Sequence, residues 1–345
     1  MEQKQSAFQT PISICDAVTE VHRKSYILPA IQREFVWNPE QVIRLFDSLL
    51  RGYPIGSFLF WNMEKEHIKE YQFYEFVRDF HERDNPHNPE ANVTGEENVT
   101  VVLDGQQRLR ALYIALRGTY AYKIPDKRWI NDDAFPKRKL FLNLMQSIDN
   151  YEVGLYYDLK FLTEEEAARQ NEDMHWFEVG KILELRDEAD VNDYLSENGL
   201  MENDKEGSKF AKRTLFKLHS MIHKDRIINY YLEHSQELDK VLNILIRIDS
   251  GGTQLSYSDL LLSIATVQWS TKNAREEITT FVDEINNVGE GFAFDKDFIL
   301  KSCLVLSDMT EIAFKVKNFS SENMLKIEEQ WDAIIKAIRT AVEFL

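Results

Sequence analysis

A short stretch in the first third of the chain combines the residue types that hold phosphate. Residues 99–103 (VTVVL) predict a short β-strand, and residues 104–108 (DGQQR) follow it directly and open a helix. Gly105 tolerates the backbone angles of a tight turn, and a helix start offers free backbone N–H groups and a positive dipole end to an anion. Arg108 would add a forked, permanently charged donor, while Asp104 could hold Mg²⁺ or orient a water.

The same residues also fit an ordinary connection between a strand and a helix. In that interpretation Asp104 is a common helix cap and Arg108 is a solvated helix residue, because strand–Asp-Gly–helix turns are frequent. In the phosphate interpretation Gln106 and Gln107 supply additional amide groups. The residue types alone leave both interpretations open.

A second polar cluster lies upstream, within residues 28–37 (LPAIQREFVW). Pro29 holds the chain extended, and apolar neighbours on both sides position Gln32 and Arg33 rather than leaving them loose. Trp37 could stack on a nucleotide base, although a Trp that precedes a helix is more often part of the core. This cluster is therefore a second candidate for contacts with a ligand.

Periodicity around these motifs predicts an α/β (α+β) chain. Residues 1–160 alternate strands and helices around a small mixed sheet, and residues 161–345 form a mainly helical domain that could continue beyond the last residue. Helices are predicted at 39–50, 163–171, 188–198, 205–223, 235–247, 257–269, 273–287 and from 322 onward, and a further one follows the 104–108 turn and stops at Gly118. Strands are predicted at 56–61, 99–103, 139–144, 153–157 and 226–231. The charged segment 62–98 is predicted to be a surface excursion or mobile loop.

Composition excludes several classes of protein. Lys and Arg number 41 and Asp and Glu number 58, so the net charge of −17 argues against general affinity for DNA or anionic membranes but allows a local basic groove. The two cysteines indicate neither a disulfide framework nor a CxxC metal site, and favour a reducing compartment. No signal peptide or membrane-spanning stretch is predicted, so we expect a cytoplasmic protein with no membrane partner.

Four ordered blocks of residues carry a resemblance to a known family. They are L-P-x-x-Q-R-x-x-x-W at 28–37, R-G-Y-P-I-G-S at 51–57, V-L-D-G-Q-Q-R-L at 102–109, and I-R-I-D-S-G-G-T-Q-L-S at 246–256 followed by D-L-L at 259–261. This arrangement resembles the N-terminal domain of GmrSD-type, modification-dependent (type IV) restriction proteins, over roughly residues 10–345. Four blocks in order are far more specific than any one of them.

The resemblance implies a ParB/sulfiredoxin-like N-terminal domain with the DGQQR motif. It also implies a nucleotide-binding, NTP-hydrolysing module of bacterial anti-phage defence that acts with a C-terminal or separate HNH nuclease. The expected ligand is a nucleoside triphosphate, which would bring its own Mg²⁺. No tightly bound metal is predicted. Modified phage DNA is a further expected partner. Block-wise matching makes Asp104, Gln107 and Arg108 catalytic and places Gln32, Arg33, Gly56, Ser57, Gly105 and Gln106 in the nucleotide pocket.

A second set of candidates for DNA or second-site contacts comprises Arg110, Arg247, Asp249, Ser250, Gly251 and Gly252. Asp249 departs from the family, which usually has Asn at this position. A carboxylate only accepts hydrogen bonds at neutral pH, so Asp249 would repel a phosphate but would be harmless beside a metal or as a cap. The second-half site is therefore less well supported than the first.

Two other functions remain open. One is a DNA-binding or modified-DNA-sensing module without catalysis, with Arg33, Arg108 and Arg110 on phosphates; the other is a regulatory subunit of a separate HNH nuclease. No G-x-x-x-x-G-K-[ST] motif is present, so an NTPase here is not of the Walker type. His219 and His223 have a spacing that could hold zinc, but no third ligand is evident, which favours surface histidines. Oligomerisation is left open.

Overall fold

The computed structural model describes most of the chain. The described residues are 6–29, 37–68, 71, 73–150, 154–169, 171, 174–201, 206–248, 269, 271–288, 292–309, 311–312, 316–319 and 321–344. The helix predicted at 257–269 lies outside this set except for Trp269.

The strands form two sheets. In chain order they are Ala7–Phe8 (β1), Tyr26–Pro29 (β2), Phe58–Glu64 (β3), Phe73–Tyr74 (β4), Asp79–His81 (β5), Asn98–Asp104 (β6), Thr119–Ala121 (β7), Lys137–Asn150 (β8), Leu155–Leu162 (β9), Trp176–Glu178 (β10) and Tyr230–Glu233 (β11). The first sheet has the order β1-β11-β3-β6-β2-β4, and the second has the order β10-β8-β7-β5 with β9 also paired to β8. Because β10 and β11 come from the predicted helical half, both halves of the chain build the sheets.

The helices are Ile14–His22 (α1), Pro39–Leu50 (α2), Lys65–Ile68 (α3), Gln106–Arg117 (α4), Glu164–Ala167 (α5), Glu188–Glu197 (α6), Glu206–His219 (α7), Leu238–Ile248 (α8), Ala274–Asn286 (α9), Lys296–Leu306 (α10) and Ser321–Glu343 (α11). The predicted start of α2 is confirmed: the Asn38 side chain accepts from the Gln41 backbone N–H at 2.9 Å, and the Gln41 side chain returns the hydrogen bond. The prediction of a mixed α+β chain is confirmed, whereas the ParB/sulfiredoxin likeness remains a prediction.

Alternate residues of β3 pack on the two faces of the first sheet. Phe58 and Phe60 belong to a core shared with α1, α2, α4 and α7, which runs from Ile14 to Ile228. Leu59 and Trp61 belong to a second core on the opposite face, which α8 covers. This alternation follows from the two-residue period of a strand. Helix α4 therefore lies on one face of the sheet and α8 on the other.

Helix α4 is buried along almost its whole length. The apolar face predicted by Leu109 and Leu112 is confirmed, but residues 109–116 are all buried, including the Arg110 side chain at 0% exposure. A helix that is covered on all sides is a core helix rather than an amphipathic surface helix. Its start, at the end of β6, is therefore held in a fixed place.

The segment 62–98 differs from its prediction. Instead of a surface excursion it completes β3, forms α3, and supplies β4 to the first sheet and β5 to the second. Phe73 and Phe80 are buried there. Strands β4 and β5 were not predicted, because each is only two or three residues long and lies among charged residues.

The C-terminal helices form a core of their own. Trp331 of α11 is fully buried, donates a hydrogen bond from its indole N–H to Glu277 of α9 at 2.8 Å, and lies against the Trp269 ring. The predicted helices at 273–287 and from 322 onward are confirmed. Helix α10 was not predicted, and it packs into the same core through Leu300 and Cys303. No described helix is long and apolar enough to cross a membrane.

The prediction that His219 and His223 are surface residues is wrong. His219 is only 1% exposed, its ring lies 4.8 Å from that of His223, and its Nε2 has no described hydrogen-bond partner. His223 donates from Nε2 to the Ile182 carbonyl at 2.8 Å. The described residues contain no cluster of metal-ligating side chains. His219 is therefore a packed part of the core, and the half-buried His223 lies beside it.

We expect the buried His219 to make the protein less stable in mild acid. Burial lowers the pKa of His219, and the charge of His223 lowers it further. The unfolded chain therefore binds a proton more readily than the folded one, so the free energy of unfolding should fall as the pH drops from about 7 to about 5. His219→Gln should weaken this dependence in urea titrations, and the exposed His87→Gln should not. Identical pH profiles for wild type and His219→Gln would contradict the assignment.

Candidate functional site

The 104–108 turn lies at one edge of the first sheet. Strands β2 and β6 run parallel, so their carboxyl ends, at Pro29 and Asp104, meet at this edge. Strand β3 is antiparallel to β6, and Leu59 pairs with Asp104, so the start of β3 is at the same edge. The predicted Gly56 and Ser57 therefore lie beside the 104–108 turn, as the resemblance implies.

Gly105 fixes the geometry of the turn. It is the N-cap of α4 with a φ of 84°, and no side chain caps the helix. A Cβ at this position would lie 2.2 Å from Cδ1 of Phe58, so only glycine allows the turn to sit on that buried ring. The first-turn N–H groups of a helix have no intrahelical partner. The turn thus presents an uncapped helix N-terminus at the sheet edge.

Arg108 binds the segment that leads into β3. Its guanidinium donates to the carbonyl oxygens of Ile55 and of Ser57, the latter at 2.9 Å, and to the Asp104 carboxylate at 3.2 Å. The guanidinium also lies over the Phe58 ring, 4.6 Å from its centroid. Burial lowers the pKa of Arg108 and Asp104 opposes that shift, but an arginine remains charged at neutral pH. Arg108 therefore joins the 104–108 turn to residues 55–57. We call this set of contacts the clamp.

Gly56 allows this clamp to close. Its φ is 80°, and a Cβ there would lie 2.9 Å from Nη1 of Arg108. Gln106 turns away from the edge, since its side-chain N–H groups donate to the carbonyls of Val102 and Leu103 at 2.9 and 3.2 Å. Gln106 can therefore contact a ligand at this edge only through its backbone N–H group.

A groove beside the clamp adds an aromatic ring and a second cation. It has a volume of about 630 Å³, and its lining includes Trp37, Glu40, Arg44, Ile55 and Arg108. Trp37 is half-buried against the core, and its carbonyl accepts from the Tyr120 hydroxyl at 2.8 Å. Trp37 therefore packs partly into the core and still lines this groove, so its core role and stacking on a base are compatible. We call the cavity the Trp37 groove.

The remaining predicted residues divide into two groups. Gln32, Arg33, Asp249, Ser250, Gly251 and Gly252 lie outside the described residues. Arg247 is exposed near the end of α8, on the sheet face opposite α4. Arg110 is fully buried, which does not fit the predicted contact with DNA phosphate. Neither of these two arginines joins the 104–108 turn.

Three contributors to the site were not predicted: the Phe58 ring, the Ile55 carbonyl and the exposed Arg44 of α2. Phe58 was predicted only as part of a buried strand. Every residue has a backbone carbonyl, so the residue type at 55 does not predict its role. Arg44 lies on the polar face of a helix, where an arginine is ordinary. The only available signal was the glycine at 56, immediately before a strand.

We expect Arg108→Lys to lower the free energy of unfolding by about 2 kcal/mol. The single ammonium of lysine cannot reproduce the fork that reaches Ile55, Ser57 and Asp104 together. Urea unfolding measures the change, with Arg23→Lys at an exposed ion pair as the matched control. Equal unfolding midpoints for the Arg108 variant and wild type would exclude the clamp.

Comparison with known protein families identifies the family of the chain. The family model described as "GmrSD restriction endonuclease, N-terminal domain" matches residues 14–266, which include the turn, the clamp and the Trp37 groove. The chain belongs to this family. This match confirms the family that the sequence resemblance predicted.

A second comparison finds a relative whose sequence is similar to this chain over a long stretch. It is an uncharacterized protein of Methanocaldococcus jannaschii, 27% identical over 265 residues. The match covers 73% of this chain and 41% of that protein. The chain thus spans about two fifths of the length of the curated relative it matches.

Proposed function

We propose that this GmrSD N-terminal domain binds a nucleoside triphosphate at the 104–108 turn and hydrolyses it. The observation that carries the proposal is the uncapped start of α4, which Gly105 places at the carboxyl edge of the sheet. Backbone N–H groups and the helix dipole favour an anion at such a position. Because Arg108 holds the neighbouring segment in place, the site is formed before a ligand arrives.

The Trp37 groove supplies the rest of a nucleotide site. Trp37 offers a flat ring for the base, and Arg44 offers an exposed cation with no carboxylate partner among the described residues. Glu40, which is exposed, also lines this groove and would disfavour a phosphate beside it. We therefore place the base in the groove near Trp37 and the phosphates at the turn.

In this proposal Asp104 acts on the terminal phosphate. One of its oxygens accepts from Arg108, and the side chain is 31% exposed, so it can also meet Mg²⁺ or a water. The oxygen of a water would attack the terminal phosphorus as the bond from phosphorus to the bridging oxygen breaks. The proton of that water would pass to the released phosphate or to solvent, and phosphate and the nucleoside diphosphate would leave. Asp104 would orient the water or hold the Mg²⁺ that neutralises the developing charge, with Gln107 beside it at the start of α4.

The wider context is also a proposal. The family description names a restriction endonuclease, which supports a nuclease that is joined to this chain or carried by another one. Nucleotide hydrolysis would then control cleavage of modified phage DNA. The alternative of a purely DNA-sensing module loses support at its predicted residues, because Arg110 is buried and Arg108 is bound to carbonyl oxygens.

The test titrates the four NTPs with Mg²⁺ and follows both binding and phosphate release. Asp104→Asn should reduce hydrolysis about 100-fold and change binding much less, because it keeps the size of the side chain and removes the charge. Arg44→Ala should weaken binding about tenfold without changing the rate at saturation.

Arg23→Ala is the matched control, since that exposed arginine is the C-cap of α1 and is not part of the turn or the Trp37 groove. It should leave both binding and hydrolysis unchanged. No binding of any NTP to wild type would overturn the proposal and would leave the turn as a structural connection. Hydrolysis that survives unchanged in Asp104→Asn would overturn the role of the carboxylate.

A further inference from the structure

A cavity of about 1160 Å³ opens between the β8–β9 hairpin and α7. We call it the α7 cleft. Its lining includes Tyr156 and Tyr157 of β9 and Lys209, Phe210 and Arg213 of α7. None of the residues around the 104–108 turn or the Trp37 groove lines it. It is therefore a separate candidate site, and the proposed nucleotide chemistry does not use it.

A row of cations follows one side of the cleft. Lys209, Arg213 and Lys217 are exposed, line the cleft and are spaced four residues apart, which places successive positions about 6 Å apart along a helix. Among the described residues no carboxylate pairs with any of the three. Glu206, in the first turn of α7, is the one acid among the described lining residues. The positive row stands out in a chain whose net charge is −17.

Aromatic rings form the other part of the cleft. Tyr156 is 38% exposed, and its ring lies 4.9 Å from Tyr157 and 6.5 Å from Phe210. The Lys217 ammonium lies 5.9 Å from the centre of the Tyr157 ring, so cations and rings face the same space. The exposed Tyr156 ring and the half-buried Phe210 ring, beside a line of cations, suit a ligand that has both flat groups and several anionic groups.

We infer that the α7 cleft binds a short single-stranded stretch of nucleic acid. A row of three cations matches a ligand with phosphates in line better than it matches one isolated phosphate. Bases can stack on Tyr156 and Phe210 only when their faces are not already stacked within a duplex. The cleft would then hold an unpaired end or an opened segment of DNA or RNA, with the backbone along α7 and bases toward β9.

Asp47 of α2 holds the aromatic side of the cleft in place. Its buried carboxylate accepts from the backbone N–H groups of Tyr156 and Tyr157 at 2.9 and 2.8 Å. These two hydrogen bonds hold the start of β9, which carries both rings, against α2. A rigid aromatic platform loses little conformational entropy when a base stacks on it.

The test measures binding of a short, fluorescein-labelled single-stranded oligonucleotide to the full chain by fluorescence anisotropy at several salt concentrations. Lys209→Gln with Arg213→Gln should weaken binding about tenfold and reduce the slope of log K against log salt by about 1.4, since each lost phosphate contact on a single strand contributes about 0.7. Tyr156→Ala should weaken binding with little change in that slope.

Lys212→Gln is the matched control, because Lys212 is an exposed lysine of the same helix that does not line the cleft. It should bind like wild type. Absence of binding by wild type, or equal loss in the Lys212 control, would overturn the inference. If a mononucleotide competes as strongly as the oligonucleotide, the claim that the cleft binds several linked nucleotides is wrong. NTP hydrolysis should be unchanged in all of these variants, which separates this test from that of the 104–108 turn.

Discussion

Gly105→Ala is expected to lower the free energy of unfolding by about 3 kcal/mol and to abolish nucleotide binding at the turn. The backbone φ of 84° strains any residue with a Cβ, and that Cβ would lie 2.2 Å from the Phe58 ring. Phe58 is 1% exposed, so its ring cannot move aside without disturbing the core. Urea unfolding gives the stability change, and an NTP titration gives the loss of binding.

Gly52→Ala separates the two causes. Gly52 has a similar φ of 76°, but nothing lies within 4 Å of an added Cβ. This control should lose only about 1 kcal/mol, the backbone term alone. If both alanine variants lose the same stability, the close approach of Gly105 to Phe58 has no energetic importance and the account of the turn is wrong.

Asp47→Ala is expected to lower the free energy of unfolding by about 3 kcal/mol. Asp47 is 2% exposed and accepts from the backbone N–H groups of Tyr156 and Tyr157, so alanine leaves both donors without a partner. The start of β9 should then loosen, and the α7 cleft should bind its ligand more weakly. Urea unfolding and the anisotropy titration measure the two effects.

Asp47→Asn is the matched variant. It retains a carbonyl oxygen that can accept from the same backbone groups, so it should lose less than half as much stability as Asp47→Ala. Equal losses in the two variants would show that charge, rather than the hydrogen bonds to β9, sets the role of Asp47. Arg51, which lies 3.5 Å from this carboxylate, would then be its important partner.

Local features of the site could be predicted from the sequence. The strand, the Asp-Gly turn and the helix at 98–117 have signals within a few residues of one another, and so does the cap at Asn38. Those signals depend on neighbours in the chain, which the sequence displays directly. The grouping of Gly56 and Ser57 with the turn came from the family resemblance, and the antiparallel pairing of β3 and β6 brings them close to one another. Their part in a nucleotide site stays a prediction.

Contacts between distant parts of the chain could not be predicted. Arg108 and Ile55 are 53 residues apart, and Asp47 and Tyr157 are 110 residues apart. The sequence made Arg108 a candidate for phosphate and did not single out Asp47, because no neighbouring residue shows that both side chains bind backbone groups far away in the chain. The α7 cleft was missed for the same reason: its rings and its cations come from separate elements that only the fold brings together.

The clamp changes how the turn should be understood. Arg108 resembled a ligand for phosphate, yet its donors reach carbonyl oxygens of Ile55 and Ser57. We therefore assign the binding of phosphate to backbone N–H groups at the start of α4, and the formation of the site to Arg108, Gly56 and Gly105. Loss of Arg108 should then reduce nucleotide binding through the shape of the site as well as through charge.

Hydrogen–deuterium exchange with and without saturating Mg²⁺–NTP tests the central claim most directly. A nucleotide bound at the turn should slow exchange in the peptide that covers residues 104–109, because its phosphates accept from the first-turn N–H groups of α4. Peptides from α7 should be unaffected. Bound nucleotide that leaves residues 104–109 unchanged, or protects only α7, would contradict the assignment of the nucleotide site to the turn.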